Sequence, residues 1–588
     1  MQQGTSRFAG ARALVWFKRD LRLEDHAPLD AAQHFESALA LYVIEPEWLH
    51  SPECSAAKVQ FALDSLAPLR SALQQRGLPL LVRVGNATAV LTELFAKTPF
   101  THLLSHEETG PMWSYQRDMA VARWCAGQGV AWQEYTQSGV VRRLRSRSGW
   151  ARRWQARMDA PRLVLQGGFA GVPGVEQSDL PTLRTLGLAP LNGQVQPAGE
   201  AAARSLLESF LHGRGRDYRR AMSSPLTAAD ACSRLSAHLA FGTVSLRTVH
   251  QRTEQAIRAL REQTHAPQPG ACPDADADGH AVAGAGGPAG GTTRSASDAQ
   301  HKVALAQSLR SFGGRLRWHC HFMQKLEDQP SIEFENFARV CDGLRENDFE
   351  TKRFDAWCAG QTGYPMVDAC MRSLTATGWL NFRMRAMLVS FAAYHLWLHW
   401  RPTGLFLARE FVDFEAGIHW SQMQMQSGTT GINTLRIYSP TKQAHDQDPQ
   451  GHFIRRWVPE LARVPLPYLA EPWKMNDTLQ RMSACTIGRD YPAPIVDDKA
   501  AVNAAKDRLY ALRQTREARE EADVVQSRHG SRRSGLPPSY QRKPAASSRM
   551  PARTASPISK QTTQKAAHAA HAQADLFGPD PTTLADTP

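Results

Sequence analysis

Short β-branched and aromatic runs alternate with helical stretches through the first 140 residues, and no other feature of the chain restricts its fold as strongly. Ala13 to Phe17, Ala38 to Ile44, Pro79 to Val84, His102 to Ser105 and Ala131 to Tyr135 read as strands. Between them, Ala56 to Gln75 and Trp113 to Gly127 place apolar residues at helical spacing. Such alternation predicts βαβ units, hence an α/β domain over residues 11–140 with a parallel sheet and helices on both faces. Sheets of this kind take ligands at the carboxyl ends of their strands, which gives a place and names no ligand.

A Pro- and Gly-punctuated stretch, Gln166 to Gly199, closes an expected linker over 141–199, and a mainly helical region rich in Trp, Arg and His runs over 200–513. Two segments lack the large apolar residues needed to bury surface: an insertion at 263–300 and a tail at 524–588, both expected to be disordered. Inside the insertion, Asp274, Asp276, Asp278 and Gly279 imitate the start of an EF-hand loop, but Ala285 stands where the bidentate Glu belongs. The chain carries +13. The tail contributes +6 and the insertion −3, leaving +10 on the remainder, so a polyanionic partner suits the folded part. Nine scattered cysteines without a CxxC pair speak against a zinc ribbon and for a reducing compartment. Met1 to Arg12 has no apolar leader, and the most apolar stretch, Ala386 to Leu398, is broken by His395 and too short to cross a bilayer. A soluble cytoplasmic protein without a metal centre is expected.

Five motifs carry chemistry. Phe17-Lys18-Arg19-Asp20-Leu21-Arg22 leaves a strand in a charged turn, and Cys232-Ser233-Arg234-Leu235-Ser236 precedes a helix whose free N–H groups suit phosphate oxygens. Gly363-Tyr364-Pro365 leads on to Arg385, and Arg436 to Thr441 and Phe453 to Leu461 follow. In this order the motifs resemble the photolyase/cryptochrome family, over about Leu14 to Trp473. The resemblance implies an N-terminal antenna domain at 11–140 and a helical FAD-binding domain at 200–513. It also implies damaged DNA as partner, and light-driven electron transfer from reduced flavin to a pyrimidine dimer flipped out of the helix.

Residue by residue, the resemblance assigns Tyr218, Cys232, Ser233, Arg234, Leu235 and Ser236 to the FAD phosphates and ribose, with Cys232 standing where the family usually has Thr. It sets Arg385 and Asp413 beside the flavin ring, with Phe414 next in the chain. Trp318 takes the place of a Trp that stacks on the flipped base, on a cationic stretch with Arg315, Arg317, His319 and His321. Several positions depart from the pattern. Arg315 replaces the Glu that bonds the damaged pyrimidine, and Phe382 replaces an Asn. Ala386 replaces a Met, Glu415 the second acid of an Asp-x-Asp pair, and His419 the Asn facing flavin N5. Trp400 matches the middle member of the tryptophan relay, whose other two positions fall on Met423 and Asn347, leaving Trp420, Trp397, Trp379 or Trp357 as other routes.

Cys341, Cys358, Cys370 and Cys485 lack the close pair that iron–sulfur members need. The catalytic His of (6-4) enzymes is missing near Asn381 and Phe382. A second antenna chromophore, folate or deazaflavin, stays open, with Glu107 and Glu108 where some members bind folate. The leading expectation is repair of cyclobutane pyrimidine dimers; the alternatives are a cryptochrome-like photoreceptor signalling through its tail and repair confined to single strands. In that tail Gln573, Asp575, Leu576 and Phe577 resemble the peptide that docks on the bacterial sliding clamp.

Overall fold

Five strands form one parallel sheet in the order β3-β2-β1-β4-β5: β1 Phe8–Phe17, β2 Phe35–Ile44, β3 Leu80–Val84, β4 His102–His106 and β5 Ala131–Tyr135. The register Leu14↔Leu39 and Leu14↔Leu103 puts β1 at the centre. Ala13 to Phe17 are buried on both faces, as a near-continuous apolar strand of a covered parallel sheet must be. Helix α1 (Ala27–Ala32) follows β1, and α2 (Ala56–Gln75) buries Val59, Leu63, Leu66 and Leu73 at helical spacing. Helices α3 (Ala87–Lys97) and α4 (Met112–Gln128) complete the crossovers. The chain reverses direction across the sheet between β1 and β4, so the ligand crevice is expected where Lys18 and Arg19 follow β1 and Glu107 and Glu108 follow β4.

The computed structural model describes residues 8–175, 177–191, 193, 195–265 and 291–529, all within one compact unit. After α5 (Trp150–Asp159) the chain is helical: α6 (Glu200–His212), α7 (Ser236–Ala240), α8 (Leu246–His265), α9 (Gly291–Asp328) and α10 (Pro365–Thr377). Then come α11 (Phe382–Ser390), α12 (Trp400–Glu410), α13 (Ala416–Ser427), α14 (Asp498–Gln514) and α15 (Arg516–His529). Pro365 at the first turn of α10 and Gly378 in left-handed conformation after it (φ 67°) delimit that helix. Its core is Met366, Cys370 and Leu374 packed with Met384, Leu388, Leu407 and Trp420. Ala386 to Leu398 is buried, partly in this core and partly, through Ala393, Tyr394 and Trp397, against Ala505 and Leu509 of α14, and among the described residues no helix is long and apolar enough to cross a membrane.

Two of the sequence motifs are joints. Leu21 N–H donates to Phe241 O (3.1 Å), and the buried Arg22 guanidinium donates to Gly242 O (2.9 Å), Glu24 O and Asp25 O (both 3.1 Å) and Gln137 Oε1 (3.2 Å). Gly242 has φ 65°, and a Cβ there would collide with the Arg19 carbonyl and Asp20 Cα. Beside it Asp20 accepts from Lys18 N (2.7 Å) and His106 Nδ1 (2.7 Å) with His26 Nε2 3.0 Å away, while His26 Nδ1 caps α1 by accepting from Leu29 N (3.2 Å). Likewise Asp368 accepts from Thr362 N and Oγ1, Gly363 N and Tyr491 OH, clasping the chain near Ala493.

Three expectations need correction. The linker 141–199 contains α5, because Trp150, Trp154 and Met158 make a buried stripe on its inner face. The insertion 263–300 is helical at both edges, since α8 reaches His265 and α9 starts at Gly291. The tail begins later than 524, because α15 continues to His529 with Ala518, Val525 and His529 buried, and His529 bonds Gln329 and packs on Phe337. Asp274, Asp276 and Asp278, and Gln573, Asp575, Leu576 and Phe577, lie outside the described residues.

Candidate functional site

The charged centre is built by three segments that meet: Cys232 to α7, the start of α11, and the turn between α12 and α13. Arg385 lies one turn into α11 and grips Asp413 through Nη1 and Nη2 (3.0 and 2.8 Å), its Nε donating to Leu380 O (2.6 Å). The guanidinium also stacks 3.9 Å over the Phe411 ring. Burial disfavours charge on Asp413, but Arg385, Ser236 and Arg234 together hold its carboxyl below the usual range. Arg385 keeps a quarter of its side chain exposed while Asp413 is sealed, so the pair presents a cationic face.

Arg234 adopts φ 62° and stacks 3.9 Å over Trp379, with Nη2 donating to Gln196 Oε1 (3.2 Å). Burial lowers its pKa to about 10, and the charge of Asp413 opposes that fall. The left-handed turn at Arg234 leads directly into α7, so the backbone of Ser233 to Ser236 is shaped for an anion. Leu235 is buried and Cys232 half-buried, and Arg214 Nη1 fixes the Cys232 carbonyl (2.7 Å). Tyr218 is buried and hydrogen-bonds Arg315; burial pushes its hydroxyl up to about 12.

Glu415 pairs with His319 of α9 at 2.8 Å. Burial opposes charge on His319, but Glu415 outweighs it and keeps the imidazole pKa well above its ordinary value. His419 is its opposite: burial drives it down to about 3, so the ring is neutral and its Nε2–H donates to Gly404 O (2.8 Å), leaving Nδ1 as an acceptor. Phe414 is buried against His419 (5.2 Å between centroids), with Lys58 of α2 5.3 Å from its ring. Lys58 Nζ donates to Glu53 O (2.6 Å), Ala408 O and Arg409 O (3.2 Å), and burial lowers it to about 7.

Trp318 is half-buried and touches His321 (5.0 Å) and Phe322 (5.8 Å) on its own helix. Phe382 opens α11 and is 38% exposed, the only large apolar side chain of that helix left so open. Trp400 is buried and donates to Asn336 Oδ1 (2.7 Å), and its ring lies 5.9 Å from Trp420. Trp420 is three residues before Met423 on α13, and both pack on Gly404, where a Cβ would approach Trp420 Cζ3 to 2.7 Å. Trp379, Trp397 and Trp357 each pack elsewhere: under Arg234, between Arg345 and Arg508, and against Phe406.

The structure brings Arg234, Ser236, Arg385 and Asp413 together, and Phe414, Glu415 and His419 together beside them. Residues that the sequence did not assign to the site are Gln196, Lys58 and Gly404, none of which has a local signal, whereas Trp420, one of the expected alternative relay members, lies beside Trp400. A cleft lined by Arg19, Arg22, Glu107, Glu108 and Gln137 reaches from the crevice of the sheet to His319 and Glu415. Glu108 is held there by Arg117 (2.7 Å).

A cationic, aromatic-backed centre beside an anion-shaped turn fits a large anionic, planar cofactor. This class of protein is an FAD-binding flavoprotein: a family model described as FAD binding domain of DNA photolyase matches residues 312–511, and one described as DNA photolyase matches 13–148. A cryptochrome DASH of Gloeobacter violaceus is 27% identical over 521 residues, 84% of this chain and 95% of that protein. A deoxyribodipyrimidine photo-lyase of Halobacterium salinarum is 29% identical over 514 residues, 82% of this chain and 96% of that protein. A class III photolyase structure from Agrobacterium tumefaciens shares the fold with TM-score 0.67 at 23% identity, covering 86% of this chain and 98% of that one. The chain belongs to the photolyase/cryptochrome family.

Proposed function

We propose that the protein repairs cyclobutane pyrimidine dimers in DNA with light. The observation that carries this reading is the open Arg385–Asp413 centre near neutral His419, with Asp413 two residues along the chain from Glu415, which pairs with His319 of α9, the helix that also bears half-buried Trp318. FAD, when bound, supplies the light-excited electron donor. The chain's own groups do the rest. The Ser233 to Ser236 backbone and Arg234 hold phosphate oxygens, and Tyr218 with Arg315 borders them. Asp413 fixes the orientation of Arg385, whose charge favours a reduced, anionic ring. His419 offers an acceptor at Nδ1 without adding charge, because its proton is committed to Gly404 O. Trp318 stacks on an extruded base, an interaction worth about 1–3 kcal/mol, and surface arginines engage phosphates.

The test is illumination of the purified, reduced holoprotein with dimer-containing single- and double-stranded DNA, following recovery of base absorbance. Light-dependent recovery is the expected result; none on either substrate rejects repair. Recovery on the single strand alone selects the single-strand variant. A photoreceptor reading draws support from the cryptochrome relative and from Arg315, which bonds Tyr218 where the family's pyrimidine-binding Glu is expected. A second chromophore at the Glu107 and Glu108 cleft, and docking of Gln573, Asp575, Leu576 and Phe577 on a sliding clamp, belong to the same proposal. Binding of the peptide 569–581 to a clamp, abolished by changing Leu576 and Phe577 to Ala, tests the latter.

A further inference from the structure

The segment from Arg142 to Arg153 holds six arginines and no acid: Arg142, Arg143, Arg145, Arg147, Arg152 and Arg153. Two serve the fold. Arg142 pairs with Glu134 (2.6 Å), and Arg147 pairs with Asp328 at the end of α9 (2.9 Å). The other four are exposed. Arg153 donates to the Ser146 and Ser148 carbonyls at 3.4 Å, and among the described residues no carboxylate pairs with Arg143, Arg145, Arg152 or Arg153.

Their placement works against the fold. Arg152 and Arg153 sit in the first turn of α5, which has no acidic residue, and the positive end of a helix repels cations by about 0.3–1 kcal/mol each. Arg143 occupies the left-handed region at φ 53°, which a side chain of its size rarely adopts. Arg147, nine-tenths buried, also leaves Nη2 without a hydrogen-bond partner. Guanidiniums concentrated where they repel one another and a helix dipole are explained by an anion that binds them. The choice of Arg throughout, with no Lys, favours phosphate, which a planar fork grips with two bonds.

The cluster is also continuous with the base-stacking residue. Arg147 Nη1 is 3.5 Å from His321 Nδ1, Trp150 of α5 lies 6.2 Å from the His321 ring, and His321 touches Trp318 at 5.0 Å. We propose that Arg143, Arg145, Arg152 and Arg153 form a strip that binds the phosphates of the strand flanking the base at Trp318. The inference rests on the proposed DNA reading and adds to it the path of the strand outside the site.

The test compares the holoprotein with the full-length variant Arg143→Gln, Arg145→Gln, Arg152→Gln, Arg153→Gln on a 6-nucleotide and a 30-nucleotide single strand, each with a central dimer, over a range of salt. Flavin occupancy should be unchanged and the melting temperature unchanged or higher, since repulsion at α5 is relieved. On the 30-mer, four lost contacts should reduce the slope of log K against log salt by about 3, and on the 6-mer by less than 1. An unchanged slope on the 30-mer, with wild type binding well, overturns the strip alone. Equal loss on both lengths overturns its placement outside the site. No wild-type binding to either strand overturns the strip and the DNA reading together. Salt-sensitive binding of wild type to anionic vesicles in place of oligonucleotide also overturns it.

Discussion

Two buried acids, Asp20 and Asp413, each hold cationic or imidazole partners, yet they do different work. Around Asp20 the donors turn inward: the His106 imidazole and a backbone N–H bond the carboxylate, the His26 ring lies 3.0 Å from it, and all three nitrogens of neighbouring Arg22 bond carbonyls and Gln137. Arg22 is fully buried there. Around Asp413 the acid is equally sealed, but Arg385 remains a quarter exposed and Arg234 stacks flat on Trp379. Burial of a charge therefore does not mark a site; an opening left beside a well-anchored charge does. Asp20, His26 and His106 lie close enough to surround a cation, but Asp20 is already bonded to His106 Nδ1 and sits 3.0 Å from His26 Nε2.

The largest break in this comparison should come from Gly242→Ala. A methyl group there meets backbone atoms that cannot yield at a left-handed residue, so stability should fall by about 3 kcal/mol or more, read as the urea midpoint. Asp413→Asn should instead spare much of the stability and strip the cofactor, raising the FAD dissociation constant at least about tenfold in a fluorescence titration. Equal effects of the two variants on folding would erase the distinction.

The pH response should separate the regions in sign. His106 is driven to about 3 by burial, and its unfolded value is about 6.5, so the unfolded chain takes up the proton first and the joint weakens as pH falls below about 6.5. The depressed Asp20 adds to the loss below about 4. His319 is raised by Glu415, so its contribution is complete below about 6.5 and is lost as pH rises through its folded value. His319→Gln should flatten the alkaline limb of stability against pH and leave the acid limb intact, measured by urea midpoints across the range. The smallest effect on the fold belongs to Trp318→Ala, which should keep flavin occupancy but lose about 5- to 100-fold in preference for lesion over intact DNA, scored by competition binding.

The α/β domain was legible because Ala13 to Phe17 and Ala38 to Ile44 are unbroken apolar runs and Ala56 to Gln75 repeats its apolar residues at 3.6; Ala131 to Tyr135 and Ala56 to Gln75 match the observed ends. Helix α15 was hidden because its three buried residues, Ala518, Val525 and His529, are spread over three turns of polar sequence and gain their stability from Phe337 and Gln329, far away in the chain. The motifs that give the family away, around Arg22 and Gly363, turn out to be joints, so the resemblance was carried by folding constraints more than by chemistry. Within the site, Arg385 and Asp413 were readable from the resemblance. Lys58, Gln196 and His319's pairing with Glu415 were not, since each depends on which distant segments the tertiary fold brings together.

Gly404 has a consequence for light of another kind. The missing side chain lets the Trp420 indole settle against α12 until its ring lies 5.9 Å from Trp400 at 68°. Two indoles that close and that steeply crossed share their electronic transitions, so they should produce a paired, opposite-signed signal in near-ultraviolet circular dichroism. The molecule thus contains an optical gauge of how tightly α12 and α13 are seated, readable without label or cofactor.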